Sequence, residues 1–181
     1  MATLSVGGTT VFDGSATQGI TTATTFPAGH VIGIWYKEFT STQTTGGTAY
    51  VWQDVTSLTQ TITPKSVNSK FWIATRIAFG GPTGNHNYLA INCDGSLVNI
   101  ADAAGSRLRS SSVGGIASTW HLEDLSSHYL WDANTTSAVT IKTQWASEGT
   151  SGNYINRSGR DTDAIYDGRG ASDLTIMEIS S

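Results

Sequence analysis

The residues with the most chemical potential crowd one stretch near the C-terminus: Arg157, Arg160, Asp161, Asp163, Asp167 and Arg169. Asp161-Thr162-Asp163 followed by Asp167-Gly168 offers several carboxylates to a hard cation. The calcium-loop template nevertheless fails, because Ile165 stands at the third oxygen position and Ser172 where a bidentate glutamate belongs. Three arginines among these acids can neutralise them, so the expected state is an Arg/Asp network that orders a long loop, without metal or other cofactor. His121-Leu122-Glu123-Asp124 has groups suited to proton transfer, but neither a nucleophile motif nor a pocket signature accompanies it. It reads as a solvated loop, and no catalytic residue is assigned. The four histidines, His30, His86, His121 and His128, form neither a helical i, i+4 pair nor a compact group with Cys93, which argues against structural zinc. A third kind of chemistry is stacking. Among the six tryptophans, Trp52 and Trp120 stand beside Gly- or Thr-rich loops and are candidate exposed platforms for a glycan. Trp35, Trp72 and Trp145 sit in strand-like runs and are expected in the core or at a subunit contact.

Strands must position these groups. Leu174 to Ile179 alternates Leu174, Ile176 and Glu178 against Thr175, Met177 and Ile179. A terminal apolar strand of this kind is expected inside a sheet, where both edges are covered. Phe71 to Phe79 is the clearest strand, with Phe71, Ile73, Thr75, Ile77 and Phe79 on one face and Trp72, Ala74, Arg76 and Ala78 on the other. Val31 to Glu38 is apolar on both faces until its charged end. Val51, Gln53 and Val55 alternate, and Thr59 to Thr63 reads as a second short strand stopped by Pro64. Asp94-Gly95 between two apolar alternations signals a hairpin. The Ser/Gly stretch up to Ser118 reads as loop, Leu125 to Asp132 and Ala138 to Ala146 as strands. About eight to ten strands with little room for helix predict an all-β, two-sheet antiparallel sandwich of the jelly-roll kind. The domain spans residues 28–181. Residues 1–27 read as an extended N-terminal arm, with Leu4, Val6, Val11, Phe12, Ile20 and Phe26 as candidate arm contacts.

Composition narrows the classes further. Charged residues make up 13% of the chain, about half the ~25% of an ordinary soluble domain. Such a surface suits a protein that lives against neighbours. The formal net charge of −4 and the absence of a Lys/Arg run argue against nucleic acid or an anionic membrane as partner. No apolar run approaches the ~20 residues that cross a bilayer, so membrane insertion is not expected. Cys93 is the only cysteine, which excludes an intrachain disulfide, and the opening residues lack the features of a secretory signal. Folding in a reducing cytoplasm is expected. Two long runs carry more apolar surface than one core consumes, and each extra large side chain buried at an interface contributes about 1.5–3 kcal/mol.

The ordered series FPAGHVI (26–32), SKFWIATRIAFG (69–80), DAAGSRLR (102–109), WDANTTSAVTIKTQW (131–145), NYINRS (153–158) and GRGASDLTIMEI (168–179) resembles a module of tailed-bacteriophage virion proteins, often the C-terminal domain of tail fibres. The resemblance covers about residues 26–181. It implies a surface-displayed, usually trimeric β-sandwich with no enzymatic activity, made in the host cytoplasm. Trp35 and Trp72 are then candidates for the homotrimer interface. No coiled-coil shaft precedes the module in this sequence. The expected role is therefore capsid decoration, as a cement or head-fibre protein bound to the major capsid protein or other virion proteins. The alternative is a tail-fibre tip or tail adaptor that binds a host surface glycan.

Overall fold

The computed structural model describes residues 4–6, 9–12, 27–45 and 47–180, and among these it contains strands and turns but no helix. Strands β1 (Leu4–Val6) and β2 (Thr9–Phe12) pair with each other as a separate antiparallel ribbon. The others are β3 (Val31–Phe39), β4 (Gln43–Thr44), β5 (Gln53–Ile62), β6 (Lys70–Gly80), β7 (His86–Cys93), β8 (Ser96–Val98), β9 (Ser112–Gly115), β10 (Glu123–Asp132), β11 (Val139–Ser147), β12 (Tyr154–Ile155) and β13 (Ser172–Ile179). They build two antiparallel sheets. The first runs β3-β13-β6-β10, extended at one end by β12 and β4; the second runs β5-β11-β7, with β8 and β9 sharing the far edge of β7.

The pairing is nested. Strand β3 pairs with β13, β5 with β11, β6 with β10 and β7 with β9, all antiparallel. First meets last and the order closes inward, as when one long two-stranded ribbon is folded over on itself. The last strand is thereby inserted between β3 and β6, inside the sheet as its alternation predicts. The chain ends of the sandwich are tied as well: the Gly29 amide donates to the Ser180 carbonyl at 2.8 Å and the Ser180 amide to the His30 carbonyl at 2.8 Å.

The core lies where the period of two places it. Phe71, Ile73, Ile77 and Phe79 of β6, with Leu174 and Ile176 of β13, face Leu89, Ile91, Ile141 and Trp145 of the second sheet, and all are buried. Thr75 occupies the middle of this apolar face. Its hydroxyl meets that of Thr143 in the opposing sheet at 2.8 Å and donates to the Asp173 carbonyl, so a buried polar group becomes a tie between the layers. Cys93 is buried too, and burial pushes its thiol up to about 12, which leaves it inert as a nucleophile.

Three local expectations are revised. Gln53 to Ile62 is one strand and not two: around Ser57, whose φ is 65°, the register jumps from Thr59 opposite Lys142 to Asp54 opposite Gln144, and both halves pair with β11. Strand β9 arises in the Ser/Gly stretch read as loop; it is held by backbone pairing to β7, for which its side chains carry no pattern. Trp35 faces inward, whereas Trp72 faces outward. The Trp35 ring lies over Gly33, where a Cβ would stand 2.5 Å from it, and packs on Phe71 at 6.4 Å between ring centroids. Of the two candidate interface tryptophans, only Trp72 is placed for an outer contact. In the arm, Leu4, Val6, Val11 and Phe12 fall in β1 and β2, while Ile20 and Phe26 lie outside the described residues.

Candidate functional site

Two surfaces concentrate side chains that bind. The first is the loop between β12 and β13. Asn156 anchors it from below: fully buried with a positive φ of 64°, its amide donates to the Phe39 carbonyl at 2.6 Å and the Ser41 carbonyl at 2.9 Å, and its oxygen accepts the Ser172 hydroxyl at 2.6 Å. The segment then runs so close to the end of β6 that a Cβ on Gly80 would strike the Arg157 carbonyl and one on Gly159 the Gly81 carbonyl.

On that base stand two ion-pair groups. Asp161 receives Arg157 at 2.9 Å and Arg169 at 2.9 Å. Asp167, whose side chain is wholly buried, receives the Arg160 guanidinium through Nε and Nη2, together with the amide and hydroxyl of Thr162. The Arg160 hydrogen bonds, with those from Thr162, outweigh burial and hold Asp167 below the usual carboxylate range. The expected network therefore forms from five of its six members. Asp163 is exposed and makes no ion pair among the described residues.

The sequence separated this network from Trp120, and the structure joins them. The Arg160 amide donates to the Thr119 carbonyl at 2.9 Å, which seats the turn carrying Trp120 on the loop. The Arg160 guanidinium then lies 5.4 Å from the Trp120 ring centre and 4.8 Å from that of Tyr166. Those two rings meet edge to face at 6.0 Å and 68°, and they remain 45% and 60% exposed. Arg160 also lines an adjoining cleft of about 290 Å³ with Gly81, Pro82, Thr119, Gly152, Tyr154 and Gly159. On its other wall, Arg157 stacks on the Tyr154 ring at 3.6 Å. His121 stands 3.6 Å from Glu123 beside Trp120, beyond hydrogen-bond distance. Trp52, the other candidate platform, is half-buried.

The second surface is the outer face of the β3-β13-β6-β10 sheet. The register aligns Ile34, Met177, Trp72 and Leu130 in one row across its four strands. Ile34 is 64% exposed, Trp72 36% and Leu130 43%. Tyr36, Thr175, Ala74 and His128 form the next row, and the His128 ring lies 5.1 Å from that of Trp72. Ion pairs border the patch at both ends: Lys70 with Asp132 at 2.8 Å, and Arg76 with Asp124 at 3.0 Å. An apolar centre with a charged rim is the anatomy of a protein–protein contact.

Sequence reasoning missed two residues. Asn156 lay inside the NYINRS segment with nothing in the sequence to mark it as the loop's buried anchor. Glu178 followed the apolar alternation of β13 inward and is fully buried, where one oxygen accepts the Lys65 amide at 2.6 Å and pins the turn before β6. Among the described residues no group of three or more His, Cys, Asp or Glu side chains could hold a metal ion. No protein-family model matches this chain, and no curated protein aligns with it.

Proposed function

We propose that this chain is a non-enzymatic structural protein of a bacteriophage virion, a homotrimer that decorates the head surface as a cement or head-fibre protein. The observation that carries the reading is the outward apolar row Ile34–Met177–Trp72–Leu130, with its charged rim. A lone molecule would leave that row in water, and a patch of this kind on a low-charge surface marks association with other protein. Three copies of a flat sheet face can close around a threefold axis, with residues nearest the axis meeting their own equivalents. The two-sheet antiparallel sandwich adds support, since it is the kind of fold that the resemblance to phage virion modules implies. In this reading the β1–β2 ribbon reaches the major capsid protein or another virion protein, and assembly follows folding in the host cytoplasm.

The alternative, a tail-fibre tip or tail adaptor, would require a receptor-binding feature, and the Trp120–Tyr166 ledge is the one that favours it. Copy number in purified virions separates the two. On the order of hundreds of copies matches a shell component, and about six to eighteen a tail component. Absence from the particle sinks both. Light scattering at micromolar concentration tests the trimer by itself: a stable monomer refutes it.

A further inference from the structure

We infer that the ledge formed by Trp120, Tyr166 and Arg160, with the cleft beside it, is a binding site for neutral pyranose saccharides. The inference does not depend on where in a particle the protein sits. Four observations point to this ligand class. First, two large aromatic rings are held exposed at nearly a right angle to each other. Both rings keep solvent-exposed surface beside Arg160, against which the C–H face of a sugar ring can stack. Second, the platform is rigid before any ligand arrives. Arg160 sits against both rings and is clamped by buried Asp167, which Thr162 secures from the other side. A preorganised platform avoids the ordering cost that weakens binding to mobile loops.

Third, the adjoining cleft of about 290 Å³ lies just under the roughly 300–1,000 Å³ of drug-sized ligand sites, which suits a small ligand. Its lining combines Pro82 and Tyr154 with Thr119 and Arg160, apolar residues with a few polar ones. Glycines at positions 81, 152 and 159 contribute no side chain that would fill it. Fourth, the charges cancel. Arg160 is matched by Asp167, Arg157 and Arg169 share Asp161, and exposed Asp163 balances the remainder. An acidic saccharide, a nucleic acid or a phosphorylated ligand would need a surplus of positive charge here, and the loop provides none.

The test uses the full chain against an array of neutral glucose, galactose, mannose and N-acetylglucosamine oligomers beside sulfated and sialylated ones. The strongest binder is then titrated by calorimetry. Saturable binding to a neutral oligomer is expected, weakened about threefold to tenfold by Trp120→Ala and by Tyr166→Ala with melting temperature unchanged. Trp72→Ser, on the distant sheet face, should leave saccharide binding intact while altering association. An array with no neutral binder overturns the inference. So does binding confined to the anionic oligomers, or binding that neither aromatic variant weakens. An unaltered chain that stays monomeric at micromolar concentration yet binds the saccharide would instead count against the virion assembly reading alone.

Discussion

The two outer faces of the sandwich are built from strands of similar length, and they satisfy their side chains in opposite ways. On the second sheet, Asp54 of β5 accepts Lys142 at 2.8 Å and Gln144 at 2.6 Å from β11, and Gln144 in turn accepts Asn92 of β7 at 3.2 Å. Thr61 and Thr140 add a hydroxyl pair at 3.1 Å. These polar groups have their partners one strand away, so the row they form is satisfied in water. On the first sheet the corresponding row is Ile34, Met177, Trp72 and Leu130, and no cross-strand contact can hide it. Lateral neighbours can saturate hydrogen-bonding groups, whereas apolar groups on a flat sheet need a second layer. One face is finished by folding; the other leaves its apolar row exposed.

Mutations can break this contrast. The largest effect is expected from Ile34→Ser with Trp72→Ser. If this face is the contact of the proposed trimer, each removes about 1.5–3 kcal/mol of interface burial, enough to convert trimer to monomer at micromolar concentration by light scattering while the monomer's melting temperature holds. If the oligomer survives the double variant, the first face is not the contact. Next comes Asp54→Ala, which strips Lys142 and Gln144 of their shared acceptor. A loss of about 1–2 kcal/mol in urea unfolding is expected, with association unchanged. A shift in oligomeric state instead would mean that the polar face also carries a partner.

A smaller effect sharpens the same contrast through pH. Burial pushes the Asp54 carboxyl up, but hydrogen bonds from Lys142 and Gln144 and the Lys142 charge outweigh it and hold it below the usual range. A folded value below the unfolded one means that the stabilisation is fully present above the ordinary aspartate range near ~3.9 and is lost as pH falls through the depressed value. Asp54→Asn should therefore flatten the acid limb of the urea midpoint against pH, with little change at neutrality beyond the loss of the ion pair. An unaltered acid limb would show that Asp54 is not depressed. The smallest effect is reserved for Lys142→Ala, a partly exposed pair worth about 0–1 kcal/mol, measurable only as a slight shift in urea midpoint.

Much of the fold was legible because strand alternation is a local signal. The two faces of Phe71 to Phe79 and the inward set Leu174, Ile176 and Glu178 are those that the period of two assigns. Trp35 escaped that logic. Its run is apolar on both faces, so periodicity could not orient it, and the room that Gly33 leaves for its ring becomes visible only in three dimensions. The site was legible in halves. That Arg160 would meet acids of its own loop, Asp167 among them, was expected because the loop's arginines and aspartates lie close in sequence. Trp120 beneath the same guanidinium was not, because no local rule links positions in separate loops.

What the sequence by itself determined is therefore the sidedness of each strand and the ionic character of the terminal loop, since both depend on neighbours along the chain. Only the tertiary structure decided which outward side chains stand next to one another. Nested pairing lines up Ile34, Met177, Trp72 and Leu130, and the Thr119–Arg160 backbone contact brings Trp120 over the loop. Surfaces of this protein are composed across strands and between loops, by long-range closure that a period of two does not encode.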